Sequence, residues 1–211
     1  DRFPDHVFNA PINEPLIAGT AVGAAHHKEL RLFPEIQFGD YSLNTLHWLV
    51  HAGNIYWSSG GQVPLNVTLR TPTEPVPGGA LYHSMPVDGY FTPVQGWIIV
   101  SPSTAFDAYG LLRTAAEYPA PVLILEPKLI YRMTLGPQLP GEERLQNAKA
   151  VRKSRGDALL SVDDMRPLSD YRIPFGKAAI RRDGSDVTIV TYGGAVLKAL
   201  KASDSLQKDG I

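Results

Sequence analysis

Short apolar runs alternate with helix-like stretches along most of the chain. The pattern predicts strands at 30–38, 65–70, 97–100 and 122–125, and helices at 14–26, 42–57, 84–92 and 102–118. The last two strands are continuously apolar, as expected for a sheet that is covered on both faces. Repeated strand–helix alternation therefore predicts an α/β fold with a doubly wound, mostly parallel sheet flanked by helices.

The periodic pattern weakens after residue 132. Residues 133–170 carry much charge and proline, which predicts a solvated linker or an insertion. Strands are predicted again at 171–182 and 186–191, on either side of a turn, and a helix at 195–206. The sequence thus predicts a first domain at 1–132, a linker at 133–170 and the beginning of a second domain at 171–211.

Composition and charge add only broad limits. With 211 residues, of which 44% are hydrophobic and 19% charged, the chain can bury one good core and part of a second. A formal net charge of -1 gives no reason to expect nucleic acid or an anionic membrane as a partner. No apolar run approaches the roughly 18 residues of a membrane span. The chain has no cysteine, which excludes disulfides and thiolate metal sites.

One helix is built almost wholly from small residues and follows an acid. Pro15 suits the first helical position, which places Asn13 and Glu14 at the cap. The glycines and alanines of residues 18–25 keep the helix surface shallow, so another backbone can approach closely. We therefore expect the Glu14 carboxylate to lie at a closely packed, poorly solvated interface. The alternative is an ordinary cap that the helix dipole favours.

Six short motifs extend this picture along the chain. They are Asn-Ala-Pro-Ile-Asn-Glu at 9–14, Pro-Glu-Ile-Gln-Phe-Gly-Asp-Tyr at 34–41, Ser-Gly-Gly-Gln at 59–62, Gly-Ala-Leu-Tyr-His-Ser at 79–84, Leu-Glu-Pro-Lys-Leu-Ile-Tyr-Arg at 125–132 and Ile-Pro-Phe-Gly-Lys-Ala at 173–178. In order and spacing they resemble the pyrimidine-binding domain of thiamine diphosphate enzymes. The resemblance is greatest to the beta subunit of the decarboxylating component of 2-oxo acid dehydrogenase complexes.

The resemblance implies a cofactor and a set of site residues. Glu14 would activate thiamine diphosphate through a hydrogen bond to its pyrimidine ring, and His83 would handle protons during acyl transfer. Gln37, Phe38 and Tyr41 would line the pyrimidine pocket. For Phe38 the simpler alternative is a core residue, and for His83 it is a surface histidine.

The resemblance also implies partners. The sequence lacks the Gly-Asp-Gly motif that places magnesium and a diphosphate in this family, so magnesium would be bound by an alpha subunit or a diphosphate-binding domain. A second beta copy and a lipoyl-bearing acyltransferase would complete the assembly, in the bacterial cytoplasm or the mitochondrial matrix. Because family members extend beyond both ends of this sequence, we expect it to be a fragment.

Two departures from the family pattern leave alternatives open. Relatives commonly carry a second histidine where this chain has residues 92–96, and residues that hold a structural potassium ion where it has 118–120. Three functions therefore remain: a pyruvate or branched-chain 2-oxo acid dehydrogenase, another thiamine enzyme such as an acetoin dehydrogenase or transketolase relative, and a non-catalytic assembly subunit. His47 and His51 have a zinc-like spacing but lack the glutamate of the metalloprotease motif, so we predict no metal site.

Overall fold

A computed structural model describes residues 3–75, 79–131 and 170–211, and the statements below concern these residues. They form two compact units, which we describe separately. The first consists of Asp1–Val100 and Ala115–Lys128, and the second of Ser101–Thr114 and Leu129–Ile211. Apart from Asp170, the predicted linker at 133–170 lies outside the described residues.

A parallel sheet forms the centre of the first unit. Its strands are β1 (Thr68–Thr73), β2 (Ile98–Val100) and β3 (Val122–Pro127), in the order β1-β3-β2. Thr68 of β1 and Ile98 of β2 both pair with Val122, on opposite edges of β3. Both neighbours run parallel to β3, which confirms the predicted parallel sheet.

The strand predicted at 30–38 is an irregular edge beside β1. Isolated parallel bridges join Leu32 to Val67 and Glu35 to Arg70. Backbone hydrogen bonds also connect this edge segment to β1 and the residues just before β1. Leu32 N donates to Asn66 O at 3.0 Å, and Ile36 N donates to Arg70 O at 2.9 Å. Pro34 between them has no N–H to donate, which explains why the segment is not a regular strand.

Strand β1 continues three residues beyond its predicted end and includes Pro72. Arg70 directs its N–H and C=O toward the edge segment, so Pro72, two residues on, faces the same side. The last described hydrogen bond between β1 and that segment is the one that Ile36 N donates to Arg70 O. Because Pro72 faces that segment, its missing N–H breaks no bond to β3.

Six α-helices are described, and most lie where the pattern predicts them. They are α1 (Glu14–Ala24), α2 (Gly39–Ser42), α3 (Leu46–Ser58), α4 (Asp88–Phe91), α5 (Ala105–Glu117) and α6 (Ala195–Lys208). A 3-10 turn at Leu43–Thr45 joins α2 to α3, so the helix predicted at 42–57 begins earlier and is interrupted. Within the ranges given above, no helix has the length and apolar character needed to cross a membrane.

Apolar side chains cover both faces of the sheet. On one face, Leu69 and Leu123 pack with Leu49 of α3 and Phe91 of α4. The side chain of Ile124, which points to the other face, is also fully buried. This two-sided burial agrees with the prediction from the apolar run of β3, whereas the residues of β2 are only half-buried.

Several small residues of α1, and Ala25 directly after it, pack against other parts of the same chain. Ala21 and Ala25 pack in a second core cluster with Leu65 and other residues. A Cβ atom added at Gly19 would lie 2.7 Å from the ring of Trp48, so this glycine makes room for that indole. Part of the predicted close-approach surface is therefore a contact between α1 and α3.

The strands predicted at 171–182 and 186–191 are absent from residues 170–211 as described, and that prediction is wrong. A strand needs a neighbour for its backbone groups, and here the side chains of Val187 and Val190 are 59% and 90% exposed. The preceding segment is held differently. Arg181 pairs with Asp107 at 2.7 Å, and Ile173 N donates to Gly110 O at 3.3 Å.

Candidate functional site

Functional side chains follow the carboxyl ends of neighbouring segments of the sheet. Phe38 and Tyr41 come after the edge segment at 32–36, His83 follows β1, and Lys128 follows β3 directly. Because these segments are parallel and adjacent, their carboxyl ends lie at one edge of the sheet. Ligands of open α/β sheets bind at such an edge.

Three aromatic side chains meet there. The His83 imidazole stacks on the Phe38 ring, with centroids 3.9 Å apart and an interplanar angle of 22°. Tyr41 meets both rings edge-on, with its centroid 6.0 Å from Phe38 and 5.9 Å from His83. Phe38 and His83 are half-buried, and Tyr41 is 39% exposed. The structure thus brings three predicted site residues together, and Phe38 belongs to this aromatic cluster.

Lys128 joins the aromatic cluster from the end of β3. Its ammonium group donates a hydrogen bond to the backbone carbonyl of His83 and lies 5.8 Å from the centroid of the Phe38 ring. Burial lowers the pKa of the Lys128 ammonium, and the Asp40 carboxylate opposes this effect. A charged hydrogen bond to His83 and a cation–π contact with Phe38 thus join Lys128 to the cluster.

Two buried polar atoms of this site have no hydrogen-bond partner among the described residues. They are Nδ1 of His83 and Oδ2 of Asp40. Leaving a buried polar atom unpaired costs about 1–3 kcal/mol, and such atoms in native proteins call for an explanation. A polar ligand that meets these atoms would supply one.

Glu14 occupies the first position of α1. The side-chain oxygen of Asn13 accepts a hydrogen bond from Leu16 N at 3.0 Å, so Asn13 is the N-cap and Pro15 is the second helical residue. The helix thus begins at the first residue of its predicted range 14–26, but Pro15 takes the second helical position instead of the predicted first one. The carboxylate of Glu14 is half-buried at the positive end of the helix dipole. Ile17, one turn later, packs against the core cluster that contains Leu69 and Leu123.

Glu14 and Gln37 are not joined to the aromatic cluster by any hydrogen bond, ion pair or ring contact among the described residues. Among the described residues, neither side chain makes a hydrogen bond, ion pair or ring contact, and Gln37 is exposed. The predicted site is therefore assembled only in part, around Phe38, Tyr41 and His83.

Two members of the site, Lys128 and Asp40, were not predicted from the sequence. Lys128 lies in a motif that we quoted for the family, and its position directly after a buried strand was the signal that could have revealed it. Asp40 lies between Gly39 and Tyr41, where it is equally consistent with an ordinary acid in the first turn of α2.

Comparisons with known proteins identify the families that this chain resembles. A family model described as "Transketolase, pyrimidine binding domain" matches residues 1–134. A second, described as "Transketolase, C-terminal domain", matches residues 176–211. Together they cover most of the described residues.

The curated relatives carry related names. The chain is 34% identical over 208 residues to the 2-oxoisovalerate dehydrogenase subunit beta of Bacillus subtilis, covering 98% of this chain and 55% of that protein. It is 36% identical to the 3-methyl-2-oxobutanoate dehydrogenase subunit beta of Mycobacterium tuberculosis, with 97% and 50% covered. The mitochondrial pyruvate dehydrogenase E1 component subunit beta of Chaetomium thermophilum is 33% identical, with 99% and 48% covered. The chain thus spans about half the length of these relatives.

A solved structure described as a split gene transketolase, in an inactive beta4 tetramer, has the same fold. It superposes with a TM-score of 0.61 at 22% sequence identity and covers 99% of this chain and 55% of the other. This likeness supports the α/β fold with its parallel sheet.

Proposed function

The chain belongs to the transketolase pyrimidine-binding domain family, and from this premise we propose that it supplies the pyrimidine-side half of a thiamine diphosphate site in a 2-oxo acid dehydrogenase. The observation that carries the proposal is the placement of Glu14 in the first turn of α1, half-buried and without a side-chain partner among the described residues. A carboxylate in this position is available to a ring nitrogen of a bound pyrimidine.

The residues present suit the pyrimidine side of the cofactor. When bound, thiamine diphosphate supplies the carbon nucleophile that makes loss of carbon dioxide from a 2-oxo acid possible. Glu14 would hold a proton at the pyrimidine ring, and Phe38 and Tyr41 would provide an apolar wall against water. The unpaired Nδ1 of His83 is available to accept or donate a proton during acyl transfer.

The diphosphate side of the cofactor needs other residues. Magnesium is bound through carboxylates, waters and phosphates, and the described ranges contain no group of three or more metal-ligating acids or histidines. Together with the missing Gly-Asp-Gly motif, this supports a site shared with an alpha subunit or a diphosphate-binding domain. In the proposed assembly, acyl groups pass to a lipoyl-bearing acyltransferase, and a second copy of this chain completes the complex.

The substrate class is a branched-chain 2-oxo acid or pyruvate. The names of relatives that are 33–36% identical support both, since they include 2-oxoisovalerate, 3-methyl-2-oxobutanoate and pyruvate dehydrogenase beta subunits. Residues 92–96 contain no histidine, a departure from the family pattern that favours one alternative, a non-catalytic assembly subunit. The presence of Glu14, Gln37, Tyr41 and His83 argues against it.

Calorimetry tests the shared site. Thiamine diphosphate with magnesium is titrated into this chain, into a diphosphate-binding partner subunit, and into their mixture. We expect no micromolar binding to this chain alone, because its described residues offer no cluster of metal ligands to hold the magnesium and diphosphate, and tighter binding to the mixture than to the partner.

The same titrations can contradict the proposal. Micromolar binding to this chain alone would rule out a shared site. Equal affinity of the partner with and without this chain would favour the non-catalytic alternative, because the chain would then add nothing to the cofactor site.

A further inference from the structure

His83 lies on a short segment that hydrophobic burial does not hold. The 3-10 helix Leu81–His83 has no buried residue, and Leu81 and Tyr82 are 90% and 76% exposed. The residue before it, Ala80, has a φ of +49°, a left-handed conformation that is unfavourable for a side chain with a Cβ. Something other than apolar packing must fix the position of the imidazole.

Lys128 contacts two parts of this site and is attracted electrostatically by a third. Its ammonium donates to the carbonyl of His83, faces the ring of Phe38 at 5.8 Å and is attracted by the carboxylate of Asp40. These groups lie on two separate segments, the turn at Leu81–His83 and the stretch that contains α2. Lys128 itself follows β3, whose six residues are all buried, so it extends from a rigid base.

We propose that Lys128 is a positioning residue, which holds His83 against Phe38 so that its Nδ1 stays available to a ligand. The importance of this role rests on the proposed function, in which His83 moves protons. The positioning itself is a property of this chain and can be measured without cofactor or partner.

The chemistry of Lys128 fits this role. An ammonium has three donors, of which the His83 carbonyl takes one, and the attraction of Asp40 and Phe38 aligns the group. Burial lowers the pKa of Lys128, which means that the charged ammonium is less stable here than in water. A surface lysine without a role in the site would avoid this cost by remaining in water.

Histidine NMR provides the test. The His83 ring protons lie over the face of Phe38, so the ring current of Phe38 shifts their resonances from the free-histidine position. In a Lys128→Met chain, which keeps the length of the side chain but not the donor, we expect this shift to be lost. Amide exchange at residues 81–84 should rise about tenfold, because one charged hydrogen bond to the segment is removed. A His83→Asn chain identifies the resonance.

Two control variants separate positioning from general stability. Lys128→Arg keeps a cationic donor and should restore most of the His83 shift, whereas Lys201→Met removes an exposed lysine from α6 and should change nothing. Circular dichroism of each variant reports whether the fold is kept.

Three results would overturn the proposal. One is an unchanged His83 shift in Lys128→Met, and another is loss of the shift in Lys128→Arg as well as in Lys128→Met. The third is unfolding of both Lys128→Met and a Lys128→Gln variant, which would make Lys128 a requirement of the fold. None of these results depends on cofactor binding, so they are distinct from a failure of the proposed function.

Discussion

The imidazole of His83 has an unpaired ring nitrogen, which suits the proton transfer that we propose for it. Its Nδ1 is buried without a partner among the described residues, while its ring is held by Phe38 and its carbonyl by Lys128. A side chain with fixed orientation and a free ring nitrogen can exchange a proton with a ligand without first breaking an internal hydrogen bond.

Replacing His83 by asparagine tests its role in acyl transfer. Asparagine can hydrogen-bond but cannot carry a proton at neutral pH, so we expect transfer to lipoamide to fall by about 10²-fold or more in the reconstituted assembly. Transfer rates are measured under single-turnover conditions, which separate this step from binding.

His51→Asn is the matched control for that measurement. His51 is exposed on α3 and contacts Trp48, so its replacement should leave acyl transfer unchanged. Unchanged transfer in His83→Asn would instead mean that His83 is an ordinary surface histidine.

At the scale of the elements, α3 approaches a neighbouring segment through Gly53, whereas Gly23 of α1 has no close neighbour. Gly53 of α3 lies against residues 95–96, and a Cβ atom added to it would be 2.1 Å from the carbonyl oxygen of Gln95. A Cβ added to Gly23 of α1 would meet nothing within 4 Å. The two glycines therefore have opposite consequences for stability.

Substitution of each glycine by alanine gives a matched pair. Gly53→Ala should lower the free energy of unfolding by about 1–3 kcal/mol, because the backbone of α3 or of residues 95–96 must shift. Gly23→Ala should raise it by about 0.5 kcal/mol, since alanine is the better helix former. Urea unfolding measures both, and a Gly53→Ala chain as stable as the wild type would show that this contact is not tight.

The helices and buried strands could be predicted because their causes are local. Asn13 and Pro15 indicate the start of α1, and the apolar run before Lys128 indicates β3. The strands predicted at 171–182 and 186–191 failed because a strand depends on a neighbour that its own sequence does not specify. The end of β1 was missed for a similar reason. Pro72 is tolerated in the strand because it faces the edge segment at 32–36 and not β3, and the sequence of β1 does not specify this neighbour.

At the scale of the whole molecule, the site was predicted only in part. Motif order identified Glu14, Gln37, Phe38, Tyr41 and His83 as candidates, and three of these meet at one edge of the sheet. Lys128 and Asp40 were missed because their importance comes from contacts between residues far apart in sequence. Glu14 and Gln37 lack partners among the described residues, as expected if the proposed cofactor and a second domain complete the site.

We propose that Glu14 activates thiamine diphosphate, and the rate of proton exchange at the thiazolium carbon tests this role most directly. The exchange is followed by NMR after rapid quenching, in an assembly of this chain with a diphosphate-binding partner. Glu14→Gln should fold normally but slow the exchange by about 10²-fold or more, because an amide cannot hold the proton as a carboxylate does. Glu29→Gln, which changes an exposed acid beyond α1, should exchange like the wild type. Exchange near the wild-type rate in Glu14→Gln would contradict the account.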